Sequence, residues 1–125
     1  MISYSDNGRS KPAFRVSYRF LRSDEGGASR APRQHVRWDF LYEGDDIQRE
    51  GISMIWPEFL SPGGSVLPEG DVPMDGLADM FIVDDARVLY HRGRIRVGTR
   101  GYFMEGPRRV AECEVVAIWS LRDAS

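Results

Sequence analysis

A two-residue alternation of apolar and polar side chains is the feature that most constrains how this chain can fold. It runs from residue 14 to 20, with aromatic and valine side chains on one face and Arg15, Ser17 and Arg19 on the other. It is clearest over residues 111–121. The apolar positions there are Ala111, Cys113, Val115, Ala117, Trp119 and Leu121. Because successive side chains of a strand point to opposite faces, both segments are predicted to be half-buried β-strands.

Four further segments are predicted as strands: 36–42, 52–60, 77–83 and 88–98. Pro57 lacks a backbone N–H, so its strand is expected at a sheet edge, a bulge or a strand end. Glycine and proline punctuate the intervening loops, and no segment keeps helical spacing for three turns. Six or so short strands predict an all-β fold, and we expect a small closed antiparallel β-barrel because closure removes exposed edges.

The chain has 125 residues, a length that predicts one domain. We expect a flexible N-terminal arm at 1–13, the barrel at 14–122 and a short tail at 123–125. No apolar run resembles a signal peptide or a membrane helix, which favours a cytoplasmic protein without membrane contacts. The single cysteine, Cys113, lies in an apolar stretch and is predicted to be a buried small hydrophobic side chain.

Two segments at opposite ends of the predicted domain resemble the third domain of elongation factor Tu. The first strand runs into Asp24-Glu25-Gly26-Gly27 and then Pro32, as a strand of that domain enters a Lys-Asp-Glu-Gly-Gly-Arg loop. Near the end, residues 105–111 (EGPRRVA), leading into 115–117, are similar to its closing Glu-Gly-Gly-Arg-Thr-Val-Gly-Ala-Gly-Val-Val. Residues 68–71 and 78–83 fall where the family has a proline/glycine loop and its next strand.

The resemblance covers about residues 14–121 and has clear departures. Pro107 stands where the family has its second closing glycine, Glu112 and Glu114 replace small residues, and segment 52–60 has no counterpart. No Gly-x-x-x-x-Gly-Lys-[Ser/Thr] motif occurs, so no nucleotide site is expected. The resemblance implies a β-barrel of the translation-factor type that stands alone, without the GTPase domain.

Large apolar side chains near predicted turns indicate a protein partner. Aromatic residues and methionine are enriched in interface cores, although some of these side chains are expected to plug the barrel ends instead. We predict a non-catalytic binding or adaptor module that engages a protein through loops at one barrel end. The predicted contact residues are Trp56, Phe59, Tyr102, Phe103 and Met104.

The alternative is a module that binds structured, tRNA-like RNA. The family's third domain contacts the T-stem backbone of aminoacyl-tRNA partly through its closing Glu-Gly loop, which implies Glu105 and Gly106 here. On the predicted strand 88–98, Arg94 and Arg96 project from one face and are suited to phosphates. The RNA-binding set under this alternative is Arg37, Arg94, Arg96, Glu105, Gly106, Arg108 and Arg109.

Charge patterning weakens the RNA alternative. The chain carries 17 basic and 19 acidic side chains, so bulk charge does not attract nucleic acid. Glu112 and Glu114 are two residues apart, as Arg94 and Arg96 are. If their strand pairs with 88–98, the glutamates would neutralise the arginines across the strands. We expect Arg15 and Arg19 to face Asp39 and Glu43 in the same way. The Glu-Gly loop also has a simple structural explanation, because glycine forms tight turns without any ligand.

No sequence feature indicates an enzyme. The chain has no nucleophile motif, no glycine-rich phosphate loop and no clustered cysteine and histidine ligands. His35 and His91 are far apart and lack neighbours at metal-binding spacing. We therefore predict no catalytic residues, no cofactor, no metal and no nucleotide.

Overall fold

A computed structural model of the chain describes residues 12–26, 32–36, 38–49, 51, 53–82 and 88–119. The predictions for the arm, the tail and Arg37 lie mainly or wholly outside these residues. The regular secondary structure of the described part is almost entirely β-strand, which confirms the predicted all-β class. Its elements are β1 (Phe14–Phe20), β2 (Asp39–Tyr42), β3 (Ile55–Leu60), β4 (Asp75–Ile82), α1 (Val88–Arg92), β5 (Arg100–Glu105) and β6 (Arg108–Ile118), with a 3-10 turn at Ser23–Glu25.

The six strands form one antiparallel sheet in the order β2-β5-β6-β1-β4-β3. The sheet curves into a half-barrel, and its two edge strands meet at one bridge. There, the Phe40 and Ser53 N–H groups each donate to the carbonyl oxygen of the other residue, at 2.9 and 2.8 Å. Trp56 Nε1 also donates to Asp39 Oδ1 at 3.0 Å across the same gap. Closure of the barrel along the full length of both edges stays a prediction.

Pro57 lies on the edge strand β3, as its missing N–H predicts. The side-chain amide of Gln34 caps the outer edge of this strand. Its Oε1 accepts from Phe59 N–H at 2.8 Å, and its Nε2 donates to the carbonyl oxygens of Phe59 and Leu67 at 2.9 Å each. This one side chain therefore replaces part of a neighbouring strand at a position where an open edge would invite pairing.

The core lies on the concave face of the sheet and is built mainly from aromatic rings in edge-to-face contact. The rings of Phe14, Phe40, Phe59 and Phe103 are fully buried. Cys113 is also buried, as predicted. At the end where β1 begins and β6 ends, here named the lower end, His91 of α1 is buried and its Nδ1 lies 2.7 Å from the Tyr42 hydroxyl.

The sequence predictions for segment 88–98 and for the cross-strand charge pairs are wrong. Segment 88–98 is not a strand: it forms α1 and a turn, because Ile95 is buried by folding back toward His91 rather than by strand pairing. Strand β5 was not predicted, although it pairs with both β2 and β6. The expected cross-strand partners also differ, since β1 lies between β6 and β4. Arg15 therefore pairs with Asp79, and Arg19 with Glu25 and Glu112.

Candidate functional site

The predicted protein-contact residues divide into a buried group and a partly exposed group. Phe59, Phe103 and Met104 are buried, with exposed fractions of 0, 0 and 3%, so they contribute packing and are inaccessible on the folded surface. Trp56 and Tyr102 are half-buried. The guanidinium of Arg109 stacks over the Tyr102 ring at 4.2 Å. Of the predicted set, only Trp56 and Tyr102 are accessible for contact with a partner.

The arginines of the RNA alternative do not share one strand face. Arg94 lies in the turn after α1 and forms a bidentate pair with Asp45, at 2.7 and 3.0 Å. Its guanidinium also stacks over the Tyr42 ring at 3.9 Å. The carboxylate of Asp45 satisfies the same fork that a phosphate would use, so Arg94 is occupied. Arg96 is exposed in the turn after α1, and Arg108 and Arg109 are exposed at the start of β6.

Glu105 and Gly106 lie at the tip of the β5–β6 hairpin and are exposed. Gly106 has φ +58° at the first loop position. Proline fixes φ near −65°, so Pro107 at the second position excludes a type I′ turn and leaves type II′. The Glu-Gly-Pro segment is thus sufficient as a turn, and its exposed tip is the part that the RNA alternative would use.

A shallow groove of about 260 Å³ lies on the convex face of the sheet across β1, β6 and β5. Arg19 and Glu112 form a pair at 3.1 Å on one side of it, and Arg100 lies 3.5 Å from Glu114 on the other. The convex face is therefore electrically self-paired, in line with the neutralised surface expected from the sequence, but through different partners.

Three of the large apolar side chains exposed at the lower end of the half-barrel, at the end of β6 and in the turn before β5, are here named the apolar patch. They are Val97, Val116 and Trp119, with exposed fractions of 66, 41 and 42%. A β-bulge positions them: Val16 pairs with Val115 and Arg15 with Ala117, so Val116 is the extra residue. The Gly98 N–H donates to the Val115 carbonyl at 2.8 Å, which brings Val97 beside the bulge.

A cluster of titratable side chains lies on the outer face of β3. His35 Nε2 is 2.9 Å from Glu58 Oε2, and its Nδ1 is hydrogen-bonded to Glu69. The His35 and Glu58 side chains are nearly inaccessible, whereas the Glu69 side chain is 45% exposed. Burial lowers the pKa of His35, but hydrogen bonds and charge from the two carboxylates outweigh it and raise the pKa above its ordinary value.

Sequence reasoning missed this cluster because its members are 23 and 34 residues apart and no local spacing links them. The one available signal was Glu58 itself, a carboxylate inside the apolar segment 52–60. Both ring nitrogens of His35 face carboxylates, so neither is directed at an open site for acid–base chemistry. Within the described ranges, no group of three or more His, Cys, Asp or Glu side chains is arranged to hold a metal ion.

No protein-family model and no curated protein matches this chain. The resemblance to the third domain of elongation factor Tu therefore remains a prediction. In the part of the chain that the structure describes, no helix is long and apolar enough to cross a bilayer.

Proposed function

We propose that this chain is a non-catalytic binding module, similar to the third domain of elongation factor Tu, that engages a protein partner through the apolar patch. The observation that carries the proposal is the exposure of Val97, Val116 and Trp119 together at one end of the sheet. Single exposed apolar side chains are ordinary on protein surfaces, whereas large contiguous apolar surfaces mark interaction sites. The contact residues proposed here therefore differ from the predicted Trp56 and Tyr102.

The charges beside the patch support a partner with an apolar contact and acidic groups around it. The Arg15 guanidinium, which is paired with Asp79, lies 4.9 Å from the centre of the Trp119 ring, so the unpaired charge beside the patch is that of Arg96. Arg96 adjoins Val97 in the chain and is exposed, with no carboxylate partner among the described residues. An arginine at the rim of an apolar contact gains most from a carboxylate on the opposing surface.

A pull-down of the tagged protein from its own cell lysate, washed at high salt after ribonuclease treatment, tests the proposal. The wild type is compared with a Val116→Ser/Trp119→Ser variant and with Val66→Ser, which removes a similarly exposed valine at the opposite end. We expect the wild type and Val66→Ser to retain a partner that the double variant loses. Equal capture by all three proteins would overturn the assignment of the patch.

The RNA alternative has a distinct outcome in the same experiment, because phosphate contacts weaken steeply with salt. It predicts RNA recovered at low salt and lost at high salt. Neutralising Arg108 and Arg109 at the hairpin tip would then abolish recovery, while the Val116→Ser/Trp119→Ser variant would retain it. That result would replace the protein-binding proposal.

A further inference from the structure

We propose that His35 is a pH-operated latch that ties the loop formed by residues 66–71 to strand β3. The latch is the row Glu58–His35–Glu69, in which one imidazole bridges a buried strand carboxylate and an exposed loop carboxylate. This inference is independent of the proposed partner surface, which lies at the opposite end of the sheet.

The backbone holds the ring in this position. His35 has φ +63°, and it is the one non-glycine residue with positive φ in the described part of the chain. Such a conformation is uncommon for a side-chain-bearing residue. The preceding residue, Gln34, is fixed on both sides: its side chain is bonded to Phe59 and Leu67, and its N–H donates to the Gly70 carbonyl at 2.8 Å.

Charged groups from three strands and the loop surround the latch. In the strand register, Glu58 lies opposite Asp79 on β4, and Asp79 in turn accepts from Arg15 Nε of β1 at 2.8 Å. On the loop side, Arg33 and Asp71 form an exposed pair at 3.1 Å. Asp79 and Asp71 each have a guanidinium partner, and the His35 ring lies between Glu58 and Glu69 with one nitrogen toward each carboxylate.

Loss of one proton from His35 reduces the number of hydrogen bonds that its ring can donate to the two carboxylates. The imidazolium donates to both carboxylates, whereas a neutral imidazole has a single N–H. Glu58 is 1% exposed and has little access to water, so the remaining N–H is expected to stay on Nε2. The Nδ1 lone pair then faces the Glu69 carboxylate, and two acceptors cannot form a hydrogen bond. The Glu69 side chain is 45% exposed, so it is expected to turn into solvent.

The pH dependence of latch closure follows from the upward shift of the His35 pKa. Because the carboxylates raise it above the ordinary value of about 6.5, the latch is closed at and below that pH. It opens as the pH rises through the folded-state pKa. The bonds from Gln34 to Leu67 and Gly70 do not titrate, so opening loosens this loop without releasing it.

Nuclear magnetic resonance tests the latch by following the His35 ring nitrogens and the amide exchange of Leu67 and Val72 across the titration. These amides are bonded to Phe59 and Pro32 carbonyls, so they report loop opening. We expect the pKa of His35 to lie above 6.5. Over the same pH range, the amide exchange rate, corrected for its intrinsic pH dependence, should rise about tenfold. A His35 pKa at or below 6.5, or exchange without a step, would overturn the proposal.

Three variants separate the latch from general loop stability. Glu69→Gln is expected to lower the His35 pKa and remove the exchange step. His35→Asn also removes it while keeping a residue that tolerates positive φ. Asp71→Asn, which breaks the exposed pair with Arg33 in the same loop, is expected to keep the step. A step that survives Glu69→Gln would contradict the latch, and the wild-type titration decides the question if a variant fails to fold.

Discussion

At the scale of single residues, Gly101 is the glycine whose neighbours lie closest among those that the structure describes. A Cβ atom there would lie 2.4 Å from Phe40 Cζ and 2.8 Å from the Leu41 carbonyl oxygen. Phe40 is fully buried in the aromatic core, and Leu41 belongs to β2, which pairs with β5 at this point. Neither neighbour can retreat without disturbing the sheet, so close approach, rather than a special φ, requires glycine here.

Gly101→Ala is therefore expected to lower the free energy of unfolding by about 1–3 kcal/mol, the usual cost of overpacking a dense core. The shift in the urea midpoint measures it. Gly63→Ala is the matched control, because its Cβ would meet only Ser61 Oγ at 3.9 Å. A change at Gly101 as small as that at Gly63 would show that Phe40 can move aside.

At the scale of elements, the outer edge of β3 is held by the Gln34 side chain and by single backbone bonds to the following loop. Gln34→Ala leaves the buried Phe59 N–H without its acceptor, and we expect a loss of about 1–3 kcal/mol in unfolding free energy. Gln34→Glu keeps the shape but directs a carboxylate oxygen at the Phe59 and Leu67 carbonyls, so its loss should be larger. Urea unfolding of both variants checks the order, and a milder effect for Gln34→Glu would contradict the capping role.

The turn after α1 is held by the pair between Arg94 and Asp45. Both side chains are largely covered, at 31 and 13% exposure, and Arg94 also stacks on Tyr42. A double-mutant cycle with Arg94→Lys and Asp45→Asn should give a coupling of about 1 kcal/mol, because lysine cannot form the bidentate contact. Arg96→Lys, at an exposed position, is the control expected to leave stability unchanged. Zero coupling would contradict the role of this pair in holding the turn.

The same elements show what the sequence could predict. The two-residue period located β1 and most of β6, since their inward positions carry apolar side chains without interruption. It failed at β5, where one inward position is Gly101 and a register shift between Phe103 and Met104 breaks the period. It also misassigned 88–98, where Ile95 and Val97 alternate by chance: Ile95 is buried in a turn and Val97 is exposed.

The candidate sites were harder to predict than the strands. The packing of a loop on β3 brings His35, Glu58 and Glu69 together. Their spacing along the chain does not predict that contact. Trp119 and Val116 were visible in the last strand, yet their exposure depends on the bulge opposite Arg15. Period-based reasoning identifies which residues a strand buries, but a bulge changes that assignment locally.

At the scale of the whole molecule, Cys113 reports on the integrity of the sheet. It lies on β6 between β1 and β5, opposite Tyr18 and Gly101, and burial raises the pKa of its thiol. A thiol reagent needs the thiolate, so labelling requires these strands to separate. We expect the native protein to react far more slowly than the urea-unfolded chain, with a rate set by the population of globally unfolded molecules.

Because labelling of Cys113 depends on global unfolding, destabilisation by Gly101→Ala should increase the labelling rate. When opening is in rapid equilibrium, each 1.4 kcal/mol lost raises the rate about tenfold. The urea-derived change for Gly101→Ala should therefore predict the acceleration measured by thiol labelling in native buffer. Latch opening at high pH should leave the rate unchanged once thiolate formation is corrected for, since the 66–71 loop is bonded to β3, which β4 and β1 separate from β6. Rapid labelling of the folded protein, or a rate independent of the Gly101 substitution, would show that β6 separates locally from its neighbours without global unfolding.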